Sequence, residues 1–498
     1  MILHRIAILC VWIAMTAGGL TGQQPPAFFR EAVWNDVVTP FPVAIDVNND
    51  GISEFAWGVS QQGIGGQGPG LTYRMLMGSR TWAQGPTFWT PGLSNNLVGC
   101  TAMVSADFNG DGNADVFADR HAAVPPFSPM PGIIWFGDGR GNFVAGSTGF
   151  PSRGTFLKDA IAFDADGDGD LDLFLCDITG PLLYINDGHG NFTDETSTRL
   201  VGLGFHPWCC LAVDVNQDGY LDVFVGNGLS VNEPASVFVN NGNGFFTEVA
   251  QAPQPSAWLA AVALDVDMDG HDDVLAFPLG SPPVIFLTRQ GQTQMSTAPN
   301  LAPPWTSFFV HYAAAFDIDQ DGFKDVIMDQ GNALRLWMNL GGGAGFVDHS
   351  AGLPGYSIGD GPGRPFVMDL DFDGDVDVIM GSRMLFNTLR EVTAATAPTR
   401  GGVFAVDFLA QQNHLMLTAI SQTPVRLQVP GLGWLWMDPT ASVLLQPLFF
   451  ATRSAQRLTV PVPNQPWVTG MIVGMQGLDV DLTRVTGQTT GSVWEIVQ

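Results

Sequence analysis

Aspartate recurs on alternate residues in seven short stretches, each followed by a glycine and one more carboxylate: Asp-x-Asp/Asn-x-Asp-Gly-x-x-Asp/Glu. The copies open at Asp46, Asp107, Asp164, Asp214, Asp265, Asp317 and Asp369. The later ones lie about fifty residues apart, a period that marks repeat architectures. Oxygen donors on alternate positions, with a glycine permitting a sharp turn, make a cage for a hard cation. Calcium takes six to eight such oxygens, so side chains at positions one, three, five and nine plus a backbone carbonyl at seven suit it. The candidate ligands of the first two loops are Asp46, Asn48, Asp50, Ile52 and Glu54, then Asp107, Asn109, Asp111, Asn113 and Asp115. Loops three and four offer Asp164, Asp166, Asp168, Asp170 and Asp172, then Asp214, Asn216, Asp218, Tyr220 and Asp222. Loops five and six offer Asp265, Asp267, Asp269, His271 and Asp273, then Asp317, Asp319, Asp321, Phe323 and Asp325. The seventh offers Asp369, Asp371, Asp373, Asp375 and Asp377. About seven Ca2+ ions, one per repeat, are therefore expected. Asn48, Asn109 and Asn216 keep an oxygen at position three but lose a charge, so their loops should bind more weakly.

An EF-hand shares the first six positions but closes with a bidentate Glu at position twelve between two helices. Position twelve here is Trp57, Ala118, Leu175, Val225, Ala276, Met328 and Met380, none with a side-chain oxygen. The residues after each loop, such as Val223-Phe224-Val225 and Val326-Ile327-Met328, are β-formers and predict a strand. An EF-hand is excluded.

The elements that position these loops follow from the flanking pattern. Before the first Asp, sizeable apolar residues stand one and three places back (Ile161 and Phe163, Leu211 and Val213), with small ones between (Ala160, Ala162, Cys210, Ala212). Period-two alternation with both faces apolar predicts a strand buried on both sides, one sheet's large face against the next sheet's small one. A second strand follows the loop, then a third ending in Asp-Gly or Asn-Gly (Asp138-Gly139, Asp187-Gly188, Asn241-Gly242), and a fourth. Such dipeptides supply the positive φ of a hairpin. Four strands per repeat is a propeller blade. The expected fold is all-β: a seven-bladed β-propeller with a calcium loop in each blade, followed by a small C-terminal β-sandwich-like domain. The seventh repeat lacks its own fourth strand, and Phe28–Ala32 resembles Phe245–Val249; that N-terminal strand is expected to complete blade seven and remove a free edge.

These residues resemble the FG-GAP/VCBS repeat family, which includes the seven-bladed propeller at the N-terminus of integrin α subunits. The resemblance spans roughly residues 28–390. It implies calcium in loops on one face of the disc and extracellular recognition of a protein or glycan.

Composition bounds the rest. The formal charge of −28 disfavours a nucleic-acid partner, and loop carboxylates supply more than half of the 48 acidic residues. His4 and Arg5 precede a short apolar run, Ile6–Met15, then small residues, which reads as a secretory signal over 1–22 with cleavage between Ala17 and Gln23. The expected divisions are the propeller over 23–392, a small, polar linker over 393–402, and an all-β module over 403–498. No later segment reads as a membrane span, and a secreted or cell-surface monomer is expected. Cys100, Cys176, Cys209 and Cys210 match no zinc spacing and read as small buried hydrophobes, with one inter-repeat bridge left open. The stretched repeats at Gly58–Gly70 and His121–Gly132 read equally as binding loops or spacers. Fourteen tryptophans, Trp82, Trp89, Trp135, Trp208, Trp258 and Trp305 among them, read as core first and as a sugar-stacking surface second. The chain has no HExxH, GxSxG, GxxxxGK[ST] or CxxC motif. A binding or adhesion module is the expected function; the alternative is a calcium-dependent carbohydrate-active enzyme, lyase or hydrolase, with its site at the propeller axis.

Overall fold

The computed structural model describes most of residues 29–396 and the strands of 403–496. Residues 1–28, 34–42, 50–52, 60–69, 90–97, 123–131, 151–156, 302–308, 354–364, 371–375 and shorter stretches fall outside the description, as do nearly all side chains beyond Asn387. The expected signal, both stretched loops, Trp305 and the ligand candidates Asp50, Ile52, Asp371, Asp373 and Asp375 therefore lie outside the described residues.

Seven antiparallel sheets follow one another along the chain. Blade three shows the plan: Leu157–Phe163, Asp172–Asp177, Gly180–Asn186 and Phe192–Asp194, paired in that order. The innermost strands of the blades are Val43–Ile45, Met103–Ala106, Leu157–Phe163, Pro207–Val213, Trp258–Leu264, Ala313–Phe316 and Phe366–Met368. Each touches the next, and Phe366–Met368 returns to Val43–Ile45, so the ring closes as a seven-bladed β-propeller. Blade seven runs Phe366–Met368, Asp377–Met380, Arg383–Asn387 and then Phe29–Val33, so its outermost strand comes from the opposite end of the propeller sequence. Blade four gains a fifth strand, Leu200–Val201, running parallel to Phe246–Ala250.

The core lies in the seams between blades, as period-two strands with two apolar faces require. Phe163, Phe174, Cys176 and Leu183 of blade three pack with Cys210, Val223, Val225, Phe238 and Phe246 of blade four. Equivalent clusters join blades one and two, two and three, four and five, and five and six. Each large side chain buried this way contributes about 1.5–3 kcal/mol. Trp135 and Trp258 belong to this core at 2% exposure, which settles them as packing residues. Cys176, Cys209 and Cys210 are buried and form no disulfide with one another, while Cys100 lies outside the described residues.

The chain divides into two compact units, one holding Glu31–Met368 with Val376–Leu385, the other including everything from Phe386 on. The latter unit is also built of strands. Val392–Thr396 pairs with Val403–Ala410, which pairs with Ser454–Pro461. A second sheet runs Val443–Leu444, His414–Ser421, Ile472–Asp481, Thr486–Ile496. Residues 393–396 were expected in a linker and instead form a strand. The small Val, Thr and Ala side chains there look like linker composition, yet they extend readily beside an available edge.

Candidate metal centre

Every acidic loop joins an innermost strand to the second strand of its blade, and position nine is the first residue of that second strand: Glu54, Asp115, Asp172, Asp222, Asp273, Asp325 and Asp377. The loops thus emerge at the same end of each innermost strand. Position one gathers backbone donors. Asp107 accepts from the N–H groups of Asp111 and Gly112, Asp214 from those of Asp218 and Gly219, and Asp317 from those of Asp321 and Gly322. Asp265 accepts from Met268, Asp269 and Gly270. The carboxylate at position five accepts the N–H of position seven, as in Asp111 with Asn113, Asp168 with Asp170, Asp218 with Tyr220, Asp269 with His271 and Asp321 with Phe323. These bonds curl loops two to six around their carboxylates. The turn needs left-handed backbone at the position-six glycine (Gly169, φ 97) and also at position four, where Asn49, Gln217 and Met268 adopt φ of 55, 55 and 66.

Position nine does more than offer an oxygen. Asp172 Oδ2 accepts the N–H of Ala165 at 2.9 Å while Oδ1 accepts that of Asn186 at 2.8 Å. The same pair of bonds recurs at Asp115, Asp222, Asp273 and Asp325, so this carboxylate ties its loop to the third strand. Burial pushes the pKa of Asp325 up to about 8, of Asp172 and Asp222 to about 7, and of Asp115 and Asp273 to about 6, against the lowering effect of the two N–H donors. A nearby cation would favour the ionised form of all five.

The residues present fit a hard dication. Asp164, Asp166 and Asp172 bring one carboxylate oxygen each to within 4.8 Å of one another, as do Asp265, Asp267 and Asp269, and Asp317, Asp319 and Asp325. Asp166 Oδ1 and Asp267 Oδ1 are buried and accept no hydrogen bond. A buried carboxylate oxygen without a partner is costly, and a metal ion removes that cost. Where asparagine holds position three, the loop closes differently: the side-chain amide of Asn109 donates to Asp111, and that of Asn216 to Asp218.

Three features escaped the sequence pattern. Asn186 and Asn240, which end the third strands of blades three and four, each donate from Nδ2 to the preceding blade's loop, at Phe108 O and Ala165 O, both at 2.8 Å. Their signal was the Asn before each Asp-Gly or Asn-Gly turn. Arg289 pairs with Asp267 and with Asp269 in loop five, where blades two, three and four carry Asp138, Asp187 and Asn241 at the matching place. Arg199, on the one-turn helix Thr196–Arg199, lies 3.2 Å from Asp166 Oδ2 in loop three.

Comparison with known proteins places the repeat. Residues 164–225 and 214–276, which hold loops three, four and five, match the FG-GAP-like repeat family. No curated protein matches the chain. Among solved structures, a lectin of Agrocybe aegerita, described as recognising non-reducing terminal N-acetylglucosamine, is 18% identical over 61% of this chain and 78% of its own, with a TM-score of 0.43. The Dos1 propeller is 9% identical over 72% and 95%, with a TM-score of 0.41. YCF48 from Cyanidioschyzon merolae is 11% identical over 72% and 99%, with a TM-score of 0.40. Likenesses this shallow carry no argument about ligand or activity. With FG-GAP-like repeats matched over 164–276 and seven blades, the chain fits an FG-GAP repeat protein resembling the integrin α-subunit propeller.

Proposed function

We propose that this propeller is a secreted or cell-surface binding module, stabilised by calcium in its loops, that engages an extracellular protein or glycan. A propeller of FG-GAP type fits a binding module. The observation that carries the calcium assignment is the set of three acidic triads, two of which contain a buried carboxylate oxygen with no partner. Calcium in the loops would supply charge neutralisation and rigidity, holding each loop against the third strand of its own blade through Asp172 and its equivalents. No helix among the described residues is long and apolar enough to cross a membrane, and export suits loops that stay filled where calcium is abundant. The second reading, a carbohydrate-active enzyme at the axis, draws support from one observation: Lys158, His311 and Tyr312 line a cavity where the innermost strands begin, at the end opposite the loops.

The test is retention of the purified chain on glycan and extracellular-protein arrays, in calcium and in EGTA. A ligand held in calcium and released by EGTA supports the proposal. No retention above blank in calcium, with turnover of an acidic or neutral polysaccharide instead, would replace it with the enzyme reading.

A further inference from the structure

Where the innermost strands of blades three to six begin, they surround a cavity of about 180 Å³. Three of these strands shift register at the same level: between Leu157 and Asp159, Pro207 and Cys209, and Trp258 and Ala260. The extra residues are Lys158, Trp208 and Leu259, and all three line the cavity. Blade six adds His311 and Tyr312, whose backbone N–H groups both donate to Asp329 Oδ1 at 2.8 Å. A bulge takes one residue out of the ladder and re-aims its side chain, and bulges concentrate beside functional sites. Three in successive blades, each delivering a lining residue, form a built cavity rather than a packing fault.

The lining sets a lysine and a histidine beside an indole ring. The Lys158 ammonium lies 4.2 Å from the centre of the Trp208 ring, and burial lowers its pKa, as for a cation held partly out of water. Asp329 raises the pKa of His311. Asp159 accepts the N–H groups of Ala160 and Cys210, and buried Asp329 accepts the two of blade six through Oδ1 while its Oδ2 lies 3.4 Å from His311 Nδ1. In a chain of net charge −28 with two lysines, one of those lysines stands here, in a lining shared with Trp208 and His311.

We propose that this cavity binds a small carboxylate carried on a ring-sized body, the carboxylate met by Lys158 and His311 and the ring by Trp208 and Leu259. Such a site rests on the binding-module function proposed above and gives it a ligand class; it does not depend on what the acidic loops hold. A ring carboxylate could come from a sugar acid or an aromatic acid. Isothermal titration of the calcium-loaded mature chain with D-glucuronate and with benzoate, against D-glucose and benzyl alcohol, separates the two. At least one acid should bind ten-fold or more tightly than its neutral counterpart. Lys158→Met should weaken that acid at least ten-fold, and Lys158→Arg should keep most of the affinity. If Lys158→Met does not fold, Leu259→Trp serves in its place: it fills the cavity without altering a charge and should abolish binding. Equal affinity for acid and neutral compound, or full affinity in the Lys158→Met or Leu259→Trp chain, would overturn the proposal. No heat from either acid, alongside calcium-dependent retention on the arrays, would sink the cavity site while leaving the binding module intact.

Discussion

At loop five a guanidinium already stands against the carboxylates that a cation would bridge. Arg289 pairs with Asp267 and Asp269 and also donates to Thr288 O, so this loop carries its own neutralising charge. Replacing it separates the two ways of holding the loop. In EGTA, Arg289→Met should lower stability by about 1 kcal/mol, a partly exposed ion pair's worth. In millimolar calcium the loss should shrink, because the freed carboxylates gain affinity for the ion. Calorimetric melting under both conditions reads the difference, and an equal loss in both would count against a cation at this loop. The ranking of loops drawn from Asn48, Asn109 and Asn216 is thus incomplete. The acidic pattern was legible because its ligands sit within nine residues of one another. Arg289 lies 22 residues from Asp267, in a turn where blades two, three and four carry Asp or Asn, and nothing in the loop's own spacing announced it.

Strand pairing within each blade was equally plain, since alternation and glycine turns act locally. The apolar packing of blade on blade followed from the same alternation, but the hydrogen bonds that join one blade to the next did not. Asn240 sits 75 residues from Ala165, whose carbonyl it holds, and only the packing of blade four on blade three brings them together. Its amide also reaches Leu221 O, and its N–H reaches Asp222. Asn240→Ala should therefore cost about 1–3 kcal/mol by leaving buried acceptors unpaired, measured by urea unfolding. An effect under 0.5 kcal/mol would show the bolt to be dispensable. The loop turn offers the opposite change. Met268 holds a left-handed backbone at φ 66 where loops two and three use Gly110 and Gly167. Met268→Gly should stabilise the calcium-free chain by roughly 1 kcal/mol, seen as a higher melting temperature. The cavity-lining bulges were illegible for a related reason. Lys158, Trp208 and Leu259 look like ordinary strand residues until the register with the second strand is known.

Across the whole propeller, seven blades leave one seam where the ring must be closed by chain from elsewhere. The strand Phe29–Val33 beside Arg383–Asn387 does this, and the Phe28–Ala32 motif had signalled it through its likeness to blade four. Deleting residues 23–33 should expose the edge of Arg383–Asn387, lower the melting temperature by several degrees and promote self-association, visible by light scattering. Unchanged melting and a monodisperse sample would show that the ring stands without its clasp. The acidic charge belongs to this scale as well, since seven divalent ions would remove about half of the −28. The central claim is that the loops are calcium sites. The most direct measurement is the number of calcium ions retained by the mature chain after gel filtration in calcium, counted by native mass spectrometry. About seven ions are expected, with loops one, two, four and five the first to empty as calcium falls. A chain that carries none would contradict the account, leaving the acidic repeats as turns held by their own backbone hydrogen bonds.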